Sequence, residues 1–335
     1  AKQMLIWMQT PREVLPLATV YLRIYFLGMA STMVYNFGSA LLRAVGDTKR
    51  PLYFLLCAGV INVILNLLFV VGFHLDVMGV AIATVISETV SAVLVLRCLI
   101  RESGGIHLEL RAMRIDRKKM MQILRIGLPA GFQGVVFALS NVVIQSSVNI
   151  FGNIIVAGNS AAANLEGFVY MAMNAFYQTT LSFVSQNFGA GEQKRIHRIV
   201  LWGEICVIVT GTLLGNTVVF FGNELLRIYS NNPEVIAAGM VRLHYISMVY
   251  ALCGIMDVMV GALRGIGYSI MPMIVSIVGV CVLRLVWLAT VFQIPQFHRI
   301  ETVYLSYPFT WILTSIVYIV FFFCVRVKTC RKQHS

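Results

Sequence analysis

Long apolar runs separated by short polar ones dominate this chain. Nine of them stand out, at about 16–42, 51–72, 77–97, 122–150, 162–186, 199–221, 236–262, 270–293 and 303–325. About 20 residues at 1.5 Å each cross about 30 Å of hydrocarbon, and these runs reach or pass that length. They lack apolar–polar alternation and are far too long for barrel strands, so each predicts a membrane-spanning helix. Polar residues inside two of the runs recur at four-residue spacing. Gln133, Asn141, Gln145 and Asn149 mark one face of 122–150, and Glu166, Tyr170, Asn174, Gln178 and Ser182 mark one face of 162–186. Residues four apart share a helix face, and a polar face avoids lipid by turning to the bundle interior. Such a face either bonds helices together or lines a wet cavity for a small molecule. In a cavity the amides donate or accept, while Tyr170, Phe168 and Trp287 stack on flat cations.

The pattern also repeats. Arg43-Ala44-Val45-Gly46 runs on to Pro51, and Arg264-Gly265-Ile266-Gly267 runs on to Pro272, both as R-x-x-G-x-x-x-x-P. The offset of 221 positions also carries Glu13-Val14 onto Glu234-Val235, which argues for a duplicated unit. Six spans separate the two copies, so both face one side and the repeats are parallel. The second copy starts near Lys119, about 115 residues ahead of Glu234, whereas only twelve residues precede Glu13. Roughly 100 further residues, worth about three helices, are therefore expected upstream, and Met4-Leu5-Ile6-Trp7-Met8 reads as the tail of a cut helix. The expected architecture is an all-α integral membrane protein of two pseudo-symmetric six-helix lobes, with about nine full spans present. Residues 1–100 are read as the remnant of the N-terminal lobe, 101–118 as a polar cytoplasmic linker containing Gly104-Gly105, and 119–335 as the C-terminal lobe. The alternative is a nine-span protein complete in itself.

Composition agrees with a bilayer as solvent. The chain is 59% hydrophobic and 12% charged, about half the charge of a soluble domain. A net charge of +12 invites a nucleic-acid reading, but its placement argues against one. With span ends alternating between two sides, one side collects Arg43, Lys49, Arg50, the block Arg97 to Arg125, Lys194, Arg195, Arg198, Arg264 and the tail Arg326 to Lys332. The other side keeps little beyond Arg12, Arg227 and Arg299. By the positive-inside rule the basic side, with the C-terminus, is cytoplasmic, and it is suited to anionic lipid headgroups. The seven cysteines form no close CxxC pair, and the six histidines are scattered, so neither a disulfide framework nor a metal site is indicated. No HExxH, P-loop or GxSxG motif is present. Gly127-Leu128-Pro129 is expected to bend its helix, since proline removes a backbone donor.

Several motifs carry a family resemblance. Tyr21-Leu22-Arg23-Ile24-Tyr25 followed by Leu42-Arg43-Ala44-Val45-Gly46-Asp47-Thr48-Lys49-Arg50-Pro51 resembles the fourth-helix and loop signature of MATE (multidrug and toxic compound extrusion) transporters. Gly79-Val80-Ala81-Ile82-Ala83-Thr84, Gly127-Leu128-Pro129, Gln186-Asn187-Phe188-Gly189-Ala190-Gly191 and Gly261-Ala262-Leu263-Arg264-Gly265-Ile266-Gly267 match further along. The resemblance covers the chain and places it from the end of helix 3 to helix 12 of a twelve-helix antiporter. It implies export of organic cations and other amphiphiles in exchange for Na+ or H+, with no other cofactor.

Ionisable groups deep in a bilayer cost about 2.5–3.5 kcal/mol each on insertion scales, so those present are functional candidates. Asp257 and Glu88 lie mid-span, and Glu166 lies near the start of its run. Asp257 is the leading ion-coupling candidate. It stands one turn from Cys253, where the resemblance places the family acid, and Arg284 at similar depth on the next helix is its expected structural partner. Asn62-Val63-Ile64-Leu65-Asn66 falls where the resemblance implies Asn-x-x-x-Asp, so Asn66 departs from the family by losing the titratable group. Asn62 and Asn66 are read either as a first-lobe ion site or as amides that bond helices together. The expected substrate cavity draws on Gln133, Asn141, Gln145, Glu166, Tyr170, Asn174, Gln178, Arg284 and Trp287, between two lobes that rock.

These features together predict a secondary active multidrug efflux antiporter, multi-pass in the inner or plasma membrane. Its partners are small-molecule substrates and the lipid bilayer, without nucleic acid, and it is expected to act as a monomer. The first rival is a lipid-linked or polysaccharide flippase of a related helical-bundle family, which a predominance of cationic residues in the cavity would favour. The second is a membrane-embedded enzyme, whose cluster of nucleophile, base or metal ligands is not visible.

Overall fold

The structure, a computed structural model, describes residues 2–3, 15–103 and 105–333. Met4 to Met8, Arg12, Glu13-Val14 and Gly104 lie outside the described residues. Among those described the chain is all-helical, without strands. It divides into two compact units, one up to Ile115 and one from Asp116 onward.

The first unit holds α1 (Leu15–Ala44), α2 (Lys49–Gly72) and α3 (Asp76–Arg101). Both α1 and α2 pack along α3. The turn after α1 shows why the repeated motif carries a glycine. Gly46 has φ +88°, a left-handed conformation without penalty only for a residue lacking Cβ. Its N–H donates to Arg43 O at 3.0 Å and the N–H of Asp47 donates to Leu42 O at 3.0 Å, which closes the helix end. Asp47 then caps α2 by accepting the backbone N–H groups of Lys49 and Arg50, each at 3.1 Å. Arg50 ion-pairs with Asp47 and, at 2.5 Å, with Glu102, which ties this turn to the far end of α3.

The second unit holds α4 (Arg117–Asn149), α5 (Asn153–Gly189), α6 (Gln193–Phe220), α7 (Pro233–Val249), α8 (Ala251–Gly265), α9 (Ile270–Gln293) and α10 (Ile300–Gln333). Asp116 starts α4 by accepting the N–H groups of Lys118 and Lys119, and Asn232 starts α7 by accepting that of Glu234, with Pro233 in the first turn. The second copy of the motif closes α8 as the first closes α1. Gly267 has φ +90°, its N–H donates to Arg264 O at 2.9 Å, and Tyr268 N–H donates to Leu263 O at 3.0 Å. α8 lies at the centre of the unit against α5, α6 and α10. Away from the face that carries Asp257 and Arg264 it is apolar, as packing against three neighbouring helices requires. Met173, Val207, Met256, Val258, Leu263 and Tyr318 meet in its core.

Among the described residues, seven helices are long and apolar enough to cross a membrane, and eight if the bent pair α7–α8 counts as one span. The run expected at 162–186 belongs to α5, a 37-residue helix that is not among those seven. Its polar face lowers its hydropathy. α4 runs unbroken through Pro129. The run expected at 236–262 is instead broken in the middle, where α7 and α8 meet at 46° across a short 3-10 turn, Ser247–Val249. Gly215 of α6 explains how the break is seated. A Cβ there would collide with the Ser247 carbonyl oxygen, so only glycine lets the unwound turn press onto α6. Irregular backbone at membrane depth must be shielded by protein; Ser247 is fully buried against α6, while Met248 faces outward. α9 has its own irregularity, a π-helical stretch Ile277–Val282.

Candidate functional site

The interior of the second unit holds two adjoining cavities. The larger, about 540 Å³, is lined by Gln133, Asn141, Tyr170, Asp257, Arg264 and Arg284, with the aromatic rings of Tyr250, Tyr307 and Trp311. The smaller, about 270 Å³, is lined by Asn141, Gln145, Asn159, Glu166 and Arg242 and shares those three rings. Six elements contribute, and the break between α7 and α8 lies among them: Arg242 comes from one half of the bent pair and Asp257 from the other.

A polar chain, buried at Arg242, Glu166 and Asn159 and exposed at Asn149, forms the wall of the smaller cavity. Arg242 grips Glu166 with two hydrogen bonds, Nε to Oε1 at 3.0 Å and Nη2 to Oε2 at 2.7 Å. Its Nη1 donates to Asn159 Oδ1 at 2.7 Å. Asn159 Nδ2 donates to Gln145 Oε1 at 3.0 Å, and Gln145 Nε2 donates to Asn149 Oδ1 at 2.9 Å. Planar guanidinium and carboxylate match as a fork, and every member of the chain has a partner, which offsets the cost of burying two charges. Glu166 and Gln145, expected in the cavity wall, thus line it while also joining α5, α7 and α4.

The larger cavity is differently built. Arg264 Nη1 donates to the Tyr177 hydroxyl at 2.7 Å and Nη2 donates to Gln133 Oε1 at 2.8 Å, so Gln133 ties α4 to α8 as well as lining the space. Asp257 stands two turns before Arg264 on the same helix and is half-buried. It makes no side-chain hydrogen bond and no ion pair among the described residues. The expected pair of Asp257 with Arg284 is therefore not formed. Arg284 donates from Nε to Thr310 Oγ1 at 3.1 Å instead, and its guanidinium carbon sits 4.0 Å from the Tyr307 ring centroid and 5.8 Å from that of Trp311.

The remaining candidates scatter. Asn141 faces both cavities and Tyr170 the larger. Asn174 is half-buried and Gln178 exposed, and neither lines these two cavities, because a four-residue repeat drifts around a 3.6-residue helix. Trp287 is likewise outside their walls: its Nε1 donates to Thr302 O at 2.9 Å and its ring packs on Phe309, pinning α9 to α10. In the first unit Asn66 Nδ2 donates to Asn62 Oδ1 at 2.9 Å, and Asn62 Nδ2 donates to Ser87 Oγ at 3.2 Å. Asn66 Oδ1 is left buried without a donor. Glu88 Oε2 accepts from Thr32 Oγ1 at 2.5 Å, linking α3 to α1.

Two separate stretches, residues 1–68 and 129–290, match the MatE family model. Each contains one copy of the R-x-x-G-x-x-x-x-P motif. The chain belongs to the MatE family. This MatE chain is 31% identical over 281 residues to the probable multidrug resistance protein YpnP of Bacillus subtilis, covering 83% of this chain and 62% of the relative. It is 27% identical over 308 residues to the FAD transporter of Shewanella oneidensis, covering 90% and 67%. It spans about three fifths of the length of the first curated relatives it matches. Among solved structures, a MOP superfamily transporter from Pyrococcus furiosus superposes with a TM-score of 0.91 at 17% identity, covering 97% of this chain and 73% of the other. The MatE chain is thus a multi-pass membrane protein with an established family fold.

Sequence alone assigns no site role to Arg264, Asn159, Tyr307, Trp311 or Glu204, and it sets Arg242 only among the deep cations with Arg23 and Arg284. Arg264 looked like a loop charge on the basic side, yet it is a hydrogen-bonded anchor inside the bundle. Arg242 and Asn159 complete the polar chain, and the i, i+4 pair Tyr307 and Trp311 builds the aromatic wall. Glu204 of α6 has both carboxylate oxygens buried without a partner. The rule that singled out Asp257, an ionisable group inside an apolar run, would have found Glu204 as well.

Proposed function

We propose that this MatE chain works as a secondary active efflux antiporter that exports amphiphilic small molecules, cations among them, in exchange for H+ or Na+. Two six-helix lobes, with about nine full spans in this chain, would carry the substrate between them, in the inner or plasma membrane with the C-terminus cytoplasmic. The observation that carries the reading is Asp257: a carboxylate without ion-pair or hydrogen-bond partner, in the wall of a 540 Å³ aromatic-lined cavity inside an apolar bundle. A carboxylate held away from bulk water is costly unless something neutralises it. A proton, a sodium ion and a cationic substrate can each do so, and exchange follows from their competition for that one charge.

Asp257→Asn keeps the size and removes the charge. It should abolish gradient-driven dye efflux from vesicles while leaving membrane levels and melting temperature unchanged. Full, ion-dependent efflux by this variant would remove Asp257 from the mechanism and direct attention to Glu88 in the first unit. One observation favours the flippase reading as second: Arg264 and Arg284 outnumber Asp257 around the larger cavity. Arg264, however, is already held by Gln133 and Tyr177. The membrane-embedded enzyme has no support in the family assignment, since the named relatives are transporters and resistance proteins.

A further inference from the structure

Arg284 is an unexplained charge on the cavity wall of the second unit. Its residue is 4% exposed, deep in a membrane-spanning segment. Nε is satisfied by Thr310, but Nη2 is buried with no hydrogen-bond partner. Arg242, buried to the same degree, has every donor group engaged by Glu166 and Asn159. Arg264 has Tyr177 and Gln133 on its two terminal nitrogens, with Nε buried and unpartnered. Arg284 alone of these three lacks a partner for its terminal nitrogens, and no carboxylate lies within ion-pair range of it among the described residues. Asp257 lines the same cavity and forms no ion pair with Arg284.

Burying a guanidinium without an anion is unfavourable by several kcal/mol. The surroundings soften this without cancelling it. The rings of Tyr307 and Trp311, 4.0 and 5.8 Å away at their centroids, attract the cation by their quadrupoles and supply no anion. The π-helical stretch Ile277–Val282 directly before Arg284 sets its direction, and such stretches recur at functional sites. A rigid, aromatic-backed, half-satisfied fork is what planar oxyanion recognition requires.

We propose that Arg284 is an oxyanion-recognition residue, and that the cavity takes flat aromatic amphiphiles bearing a carboxylate or a phosphate, whose ring lies along Tyr307 and Trp311. This rests on reading the cavity as the substrate site. It adds a class of cargo that the acid at Asp257 does not select.

The test uses the full-length protein in nanodiscs and four pyrene probes that share the ring and differ in the end group: carboxylate, phosphate monoester, methyl ester and trimethylammonium. Dissociation constants come from pyrene fluorescence. The wild type should bind at least one oxyanion probe about tenfold or more tighter than the ester, the effect of one good charge-assisted fork. Which of the two binds tighter tells carboxylate from phosphate, and equal binding supports oxyanions generally. Arg284→Gln should erase the preference while leaving ester and ammonium binding within about twofold. Arg284→Lys keeps the charge but loses the fork, so it should lower the preference about threefold or more; this variant decides if Arg284→Gln does not fold. Binding of the ammonium and ester probes without an oxyanion preference in the wild type overturns the proposal and leaves the transport reading standing. Binding of none of the four overturns both. A preference unchanged in the variants, or an equal loss for all four probes, makes Arg284 a structural residue and overturns it too.

Discussion

Removing the Glu166 charge gives the sharpest test of how the second unit is held together. Glu166 is 5% exposed and Arg242 8%, and the pair shares two hydrogen bonds of 3.0 and 2.7 Å. Glu166→Gln keeps the shape but replaces one carboxylate oxygen by an amide NH2, which then faces a guanidinium donor. Two charge-assisted bonds are worth about 3–6 kcal/mol together, and breaking a buried pair from one side costs about 3–5 kcal/mol. The two routes agree on about 4 kcal/mol. At about 2–4 °C per kcal/mol for a unit of 150–250 residues, melting should fall by about 6–20 °C. Tryptophan-fluorescence melting of the purified protein in nanodiscs reads this directly. The double variant Glu166→Leu with Arg242→Met removes both charges and should recover most of the loss, because no unpaired ion stays buried. A single variant melting within about 2 °C of wild type, or a double variant no better than the single, would refute the reasoning.

Other outcomes follow from the same geometry. Gly215→Ala should destabilise the protein by about 1–3 kcal/mol, since its Cβ meets the Ser247 carbonyl, whereas Gly131→Ala, inside α4 with open space around it, should be neutral or stabilising by up to about 1 kcal/mol in the same melting assay. Tyr170→Ala should change which dyes are exported, because Tyr170 lines the larger cavity, while Gln178→Ala should leave the export profile unchanged. Partial burial raises the Asp47 carboxyl, but hydrogen bonds from the Arg50 side chain and backbone outweigh it and hold the group below its usual 3.8. A lowered carboxyl stabilises the fold above its unfolded value, and that contribution is lost as pH falls through the folded value. The melting gap between wild type and Asp47→Asn should therefore be constant down to a pH of about 5 and close below 3.8.

Chain-local physics was legible in the residues alone. Apolar runs long enough for hydrocarbon demanded helices, and the absence of alternation excluded strands. The repeated R-x-x-G-x-x-x-x-P motif announced two equivalent turns, and Gly46 and Gly267 adopt the same left-handed conformation because each turn is closed by hydrogen bonds a few residues long. Hydropathy also set depth, placing Asp257 and Arg284 at similar levels. What it could not set was azimuth. A π-helical insertion such as Ile277–Val282 rotates the residues after it by about 100°, the turn per residue of an α-helix. Arg284 faces Thr310 and Tyr307 rather than Asp257. The partners that matter are likewise far apart in the chain: Arg242 and Glu166 by 76 positions, Arg264 and Gln133 by 131. Which helix meets which, and on which side, depends on close packing of many apolar surfaces at once. Only the tertiary structure could therefore decide that, among the described residues, Glu166 is ion-paired while Asp257 and Arg284 are not.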